Sequence, residues 1–267
     1  MAGVAIVALW IAGLAMMLRR NASRSEEQQL AEVALTVQPA TFYYVVERDG
    51  QRVGAASSAI DTTVRNLVSE EYFVGDFPSP SGAGVERTSA RWQSALSRGF
   101  RLQRTSIDIV RAAQPFRIRT IVTDDTALVT TVTRPGGPSR SANLTAIPPV
   151  FTPALAPVAF MLGGSHEIGR TQTMSVFDPV SRTVLRPELR IHAESLFTVI
   201  DSADVDAAGN WAPAHRDTVR AWRIEGAPAG ISAWVDAEGR IVAAKMAGGL
   251  SVMRTAFELA FRDSQKK

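Results

Sequence analysis

Three histidines, His166, His192 and His215, are the side chains best suited to move a proton or hold a metal near neutral pH. They lie far apart in the chain. His192 and Glu194 are two residues apart, so a strand would place both on one face. A metal centre needs further ligands, and a hydrogen-bonded strand face accounts for the pair. His166-Glu167 follows Gly163-Gly164-Ser165 and reads as a turn. Asp201, Asp204 and Asp206 cluster as a Ca²⁺ candidate, but the central Gly and closing Glu of an EF-hand loop are absent. Asp124-Asp125 is a second acidic pair in turn-like sequence. No Ser occupies a nucleophile elbow, and no Gly-rich phosphate loop occurs. The chain has no Cys, which removes disulfides, thiolate metal sites and thiol nucleophiles. The expectation is a protein with no catalytic residue, no metal centre and no cofactor.

The charge balance is consistent with that. The formal net charge is +3. Lys occurs only at Lys245, Lys266 and Lys267, and the other cations are Arg scattered among acids. No basic stripe or aromatic platform forms, so a nucleic-acid partner is not expected.

The elements that carry these residues begin with an apolar run. Met1 to Leu18 contains no charged side chain. As a helix it reaches about 27 Å, close to the hydrocarbon thickness of a bilayer. Arg19 and Arg20 end it and suit the headgroup interface. Nothing basic precedes the run and no small-x-small site follows it, so a retained anchor over residues 1–20 is expected rather than a cleaved signal. Ala5, Ala8, Ala12 and Ala15 form a narrow small-residue stripe for helix packing. Ile6, Trp10, Leu14 and Met17 lie nearly opposite, facing lipid. The partners implied are the bilayer and other transmembrane subunits. Residues 21–39 read as an amphipathic helical tether with Leu30, Val33, Ala34 and Val37 on one face, ended by Pro39.

From residue 40 to 267 the pattern is that of strands. Asp49-Gly50 joins Phe42–Arg48 to Val53–Thr63 as a hairpin. Further strands are expected at 67–77, 85–98, 101–111, 116–122, 127–133, 173–177, 184–185, 189–200, 219–224, 231–235 and 241–246. Ser251 to Arg262 is either a helix or a long strand. Without a βαβ rhythm, the expected fold is mainly β: one transmembrane helix, then a curled antiparallel, half-barrel-like sheet with short covering helices. Ile147 to Leu162 is Pro-rich and apolar, which excludes a central strand. It reads as a short helix and loop over one end of the sheet. It is either a buried crossing connection or a lid over a hydrophobic cavity, with Phe151, Leu155, Val158, Phe160, Met161 and Leu162 at the mouth.

Three stretches together carry a family resemblance: Gln51 to Ser58, Val176-Phe177-Asp178-Pro179, and Trp234 to Val242. Their order and spacing resemble the non-catalytic, membrane-anchored N-terminal domain of bacterial transglutaminase-like membrane proteins, over roughly residues 40 to 260. The catalytic domain of that family uses a Cys, and this chain has none, so no catalytic residue is carried over. The resemblance implies a curled antiparallel sheet on the exported, periplasmic side of a bacterial inner membrane, used for binding or assembly. Arg19, Arg20 and Arg24 argue the other way, because the positive-inside rule places the globular part in the cytoplasm.

Two functions fit these readings best, ahead of a third, an uncharacterised hydrolase. One is a non-enzymatic, anchored assembly module, an accessory subunit of a larger membrane complex of respiratory or photosynthetic type. The other is a carrier or chaperone for a lipid or lipoprotein, with a hydrophobic cavity.

Overall fold

The computed structural model describes residues 32, 35–63, 66–78, 84–124, 127–137, 139–145, 150–227, 231–246 and 249–262. The expected anchor, with Arg19, Arg20, Ala5, Ala8, Ala12 and Ala15, lies outside the described residues. Among those described, no helix is long and apolar enough to cross a membrane. Of the expected tether, residues 32 and 35–39 are described: Glu32, Leu35 and Thr36 are helical, Val37 to Pro39 are not, and Val37 is buried in the core.

Turn chemistry starts the sheet. Strand β1 (Ala40–Arg48) returns as β2 (Gln51–Thr62) through Asp49 at φ 51° and Gly50 at φ 76°. Positive φ at both central residues is what a tight hairpin with right-handed strand twist requires. The chain then meanders outward through β3 (Asn66–Pro78), β4 (Val85–Ser97), β5 (Leu102–Arg111), β6 (Gln114–Thr123), β7 (Ala127–Thr133) and β8 (Arg140–Thr145). It crosses to the far edge through helix α1 (Ala156–Leu162) and β9 (Thr171–Thr173). A small ribbon, β10 (Val176–Asp178) with β11 (Thr183–Leu185), follows. The chain then meanders back through β12 (Glu188–Val205), β13 (Trp211–Ala227), β14 (Ile231–Val235), β15 (Ile241–Lys245) and β16 (Leu250–Thr255). Strand β16 pairs with β1, so one antiparallel 14-stranded sheet runs β8 to β1, then β16 to β12, then β9.

The sheet is curled, as its core demonstrates. Ile60, Leu67, Leu96, Leu102 and Leu128 on one half share one buried cluster with Leu189, Ile191, Trp222, Ile224 and Val235 on the other. Strands far apart in a flat sheet cannot meet in that way. Between them sits α1, begun by Pro157, whose fixed φ suits a first helical turn. The crossing segment is therefore the buried connection. Phe151, Leu155, Val158, Phe160 and Met161 are all buried in this core. Arg170 locks the segment: its Nη2 donates to Phe160 O at 2.7 Å, and its guanidinium lies 4.4 Å from the Phe160 ring centroid.

Some elements depart from the sequence expectations. Strands β12 and β13 are far longer than expected. Register shifts near His192 and between Ile200 and Ala203 bend them into a two-stranded arm. The Asp201–Asp206 segment is therefore mostly strand. Residues 251–262 are both alternatives in turn: β16, then a short helix α2 (Phe257–Phe261). Helix α2 covers the outer face, with Ala260 and Phe261 packed on Ala55 and Val74.

The β5–β6 hairpin turns on Ala112 and Ala113, at φ 46° and 63°. A left-handed conformation strains any residue with a Cβ by about 1–2 kcal/mol. Ala113→Gly is expected to stabilise the fold by roughly 0.5–1 kcal/mol, because the relief exceeds the added chain entropy of Gly. Urea unfolding of the two proteins side by side measures it.

Candidate functional site

Alternation along the paired strands aims one row of side chains into the curl. Cross-strand register places Tyr44 opposite Ala56, Ala56 opposite Phe73, and Phe73 opposite Ala90. One pair further along, Ser58, Glu71, Trp92 and Ile107 stand in line across β2 to β5. These residues, with Val46, Phe77, Ile241 and Val252, line a cavity of about 740 Å³. Pockets for small organic molecules fall in the range of roughly 300–1,000 Å³. The rim carries Arg48, Arg111 and Met246. None of the expected mouth residues Phe151, Leu155, Val158, Phe160 or Met161 is among the lining residues.

Beneath the cavity lies a row of buried hydroxyls in direct register: Ser69, Ser94, Thr105, Thr120 and Thr130. Trp92 Nε1 donates to Thr105 Oγ1 at 2.6 Å, and Thr120 and Thr130 hydroxyls are 2.9 Å apart. These bonds fix the Trp92 ring as a wall. Deeper still, the β14–β15 turn meets α1. Gly239, at φ +77°, sits where a Cβ would come within 2.5 Å of Pro157 O and Val158 Cα, so only Gly fits. Asp236 organises this turn. Its Oδ1 accepts from the Glu238 and Arg240 amides at 3.1 and 2.9 Å, and its Oδ2 accepts from Arg254 Nη2 at 2.8 Å. Arg254 also donates to Ile241 O, and its guanidinium lies 4.0 Å from the Phe42 ring centroid. Tyr44 OH donates to Ile241 O at 3.3 Å. Burial holds the Tyr44 phenol well above its ordinary range and pulls the Arg240 guanidinium down.

Adjacent glutamates take opposite environments. Glu70 faces outward, where Arg91 donates to it at 2.8 and 3.0 Å and holds its carboxyl below the usual range. Glu71 faces the cavity. Burial pushes it up to about 7, against smaller opposing effects of the Ser58 hydroxyl bond at 3.0 Å and the Arg240 charge. The charged groups facing it are Arg240 from the β14–β15 turn and Glu70 from its own strand, and Tyr44 on β1 shares the same field.

That asymmetry has a pH consequence. The folded chain keeps a proton on Glu71 that the unfolded chain releases above about 4.5, so stability falls as pH rises from about 4.5 to 7. Above 7 the full penalty applies, about 2 kcal/mol once cavity water screens the charge. Glu71→Gln is expected to match the parent at pH 5 and exceed it by about that amount at pH 8. Urea midpoints at the two pH values check this.

The histidines stand apart from the cavity and from one another. His166 Nε2 lies 3.1 Å from Met161 O. His192 Nε2 is 3.1 Å from Glu225 across the strand pair, and His192 and Glu194 are both exposed. His215 Nδ1 is 2.8 Å from Asp201, whose carboxyl it lowers. Asp206 caps its own turn, accepting from the Ala208 and Asn210 amides at 2.9 and 2.8 Å. Asp204 Oδ1 is 2.7 Å from the Val205 amide. Among the described residues no group of three or more His, Asp or Glu is placed to hold a metal.

Sequence reasoning missed Glu71, Ser58, Asp236 and Arg254 as site residues. The available signal was Glu71 on the strand face that also carries Leu67 and Phe73. Both faces of β3 mix polar and apolar residues, so the signal was faint.

An antiparallel meander curled around a core at one end and a cavity at the other defines a barrel-like architecture. The chain is similar to a solved beta-barrel-like protein of the domain of unknown function DUF1849 from Brucella abortus. Identity is 11%, the TM-score is 0.54, and the match covers 81% of this chain and 95% of that one. The likeness shows the fold. No family model and no curated protein matches the chain.

Proposed function

We propose that this chain is a membrane-anchored binding protein that holds a lipid-like molecule, or an acyl chain of a lipoprotein, inside its barrel. The observation that carries the reading is the cavity itself: about 740 Å³, walled by Val46, Phe73, Ala90, Trp92, Ile107 and Val252. Apolar walls favour an apolar occupant because transfer from water releases roughly 25 cal/mol per Å². The reading is non-enzymatic. Residues 1–20 tether the domain to the bacterial inner membrane, where such ligands originate. The resemblance to anchored transglutaminase-like domains supports the periplasmic side.

Diphenylhexatriene, a hydrocarbon fluorophore with no hydrogen-bonding group, tests this on the full chain in mild detergent. Saturable binding at one site per chain is expected. Signal that grows linearly with protein, with no saturation, contradicts the reading.

A second reading, the assembly module, draws support from the arm of β12 and β13. Beyond Ile200 it is almost wholly exposed and presents Val205 and Trp211. An isolated two-stranded ribbon is marginal in water, so a partner there would stabilise it. Ile200 pairs with Arg216. Joining them by an Asn-Gly turn is expected to keep ligand binding and to lose any subunit that co-migrates in mild detergent. Unchanged co-migration contradicts the assembly reading.

A further inference from the structure

We propose that the occupant of the cavity is an amphiphile that enters with a hydrogen-bond donor leading, an aliphatic ammonium in the strongest case, and presents it to the carboxyl of Glu71. This inference rests on the binding-protein reading and specifies its ligand.

The geometry leaves Glu71 half-satisfied. Ser58 Oγ donates to Oε1 at 3.0 Å, and no described group donates to Oε2. The nearby cations make their hydrogen bonds elsewhere, although the buried Arg240 Nε has no hydrogen-bond partner. Arg254 donates to Asp236 and to Ile241 O, and Arg240 Nη2 donates to Gln38 O at 2.7 Å. The Tyr44 hydroxyl proton points to Ile241 O. A carboxylate accepts about four hydrogen bonds, and a buried one is destabilised by each that is missing. Most of the remaining cavity wall is apolar; the other polar lining residues include Ser57, Tyr72, the rim residues Arg48 and Arg111, and Thr88, whose buried Oγ1 lacks a partner. Water fills that place in the empty cavity, and a ligand that displaces the water must bring a donor of its own. An ammonium restores charge neutrality as well as the hydrogen bond. A hydroxyl restores only the bond. A carboxylate adds like charge beside Glu71 and is disfavoured. The chain then extends past Phe73 and Ala90 toward the rim.

Calorimetric titration of the full chain with dodecylamine, dodecanol and dodecanoate, each below its micelle concentration at pH 8, tests the ranking. A charged hydrogen bond is worth about 1.5–3 kcal/mol, or roughly 10–100-fold in affinity. Dodecylamine is expected to bind at least about tenfold tighter than dodecanol, and dodecanoate weakest. In Glu71→Gln the amine advantage is expected to collapse while dodecanol stays within about threefold, because Gln keeps an acceptor at the same place. Circular dichroism confirms that the variant is folded. If dodecanol and dodecanoate bind as tightly as dodecylamine, or Glu71→Gln leaves the ranking unchanged, the donor proposal is overturned while the binding-protein reading stands. If none of the three binds and diphenylhexatriene also fails, the binding-protein reading falls with it.

Discussion

Ala90→Trp is expected to abolish binding of diphenylhexatriene, at least about 100-fold, while the protein still folds. Ala90 projects into the cavity from β4, opposite Phe73 on β3 and Ile109 on β5. An indole there occupies the space a ligand needs. The substitution overfills no packed core, because the added atoms enter an existing void rather than displacing neighbours. Ala90→Ser, nearly isosteric, is expected to bind normally. Fluorescence titration of the three proteins, with circular dichroism as the folding control, measures the effect. Equal affinity in Ala90→Trp and the parent would place the fluorophore elsewhere.

Asp236→Ala is expected to destabilise the fold by about 3–5 kcal/mol, a larger change than that of Ala113→Gly or Glu71→Gln. Arg254 is 9% exposed, and Asp236 is its carboxylate partner at 2.8 Å. Truncation leaves a buried guanidinium without a counter-charge. It also frees the two turn amides that Oδ1 accepts and loosens the loop seated on Pro157 and Val158. Asp236→Asn separates the two roles. It retains an acceptor for the turn and loses the charge, so its cost is expected to be about half as large. For a domain with a stability of roughly 5–15 kcal/mol, the Ala variant should show a clearly lowered urea midpoint. Matching midpoints for Ala, Asn and parent would show that the ion pair contributes nothing net.

Where local chemistry decides structure, the sequence was readable. Asp49-Gly50 specified its hairpin, because few other dipeptides hold two consecutive positive φ angles. The four prolines between Ile147 and Leu162 excluded a central strand, and the described part, residues 150–162, is loop and helix with one isolated bridge at Phe151. Both strands of the β5–β6 hairpin were expected from their alternation, but Ala112-Ala113 gives no turn signal; its strain is held by the pairing of β5 with β6 on either side. The arm escaped for a related reason. Residues 202–218 are mostly exposed on both faces, and their apolar residues do not alternate regularly, so nothing marks them as strand.

The site was the least legible part. Glu71 is placed beside its partner only when β2 brings Ser58 alongside and the curl sets both on the cavity wall. Asp236 was readable as a turn residue, but its second oxygen serves Arg254, delivered by the following hairpin. Phe151, Leu155, Val158, Phe160 and Met161 were readable as apolar, and an apolar run is equally compatible with a plug or a cavity mouth.

Native mass spectrometry of the full chain, released from its own membrane in mild detergent, tests the central claim most directly. The predicted result is a stoichiometric small-molecule adduct on the parent protein, removable by organic extraction and absent from Ala90→Trp. A bare chain mass for both proteins, with no adduct regained on incubation with membrane lipid extract, would contradict it.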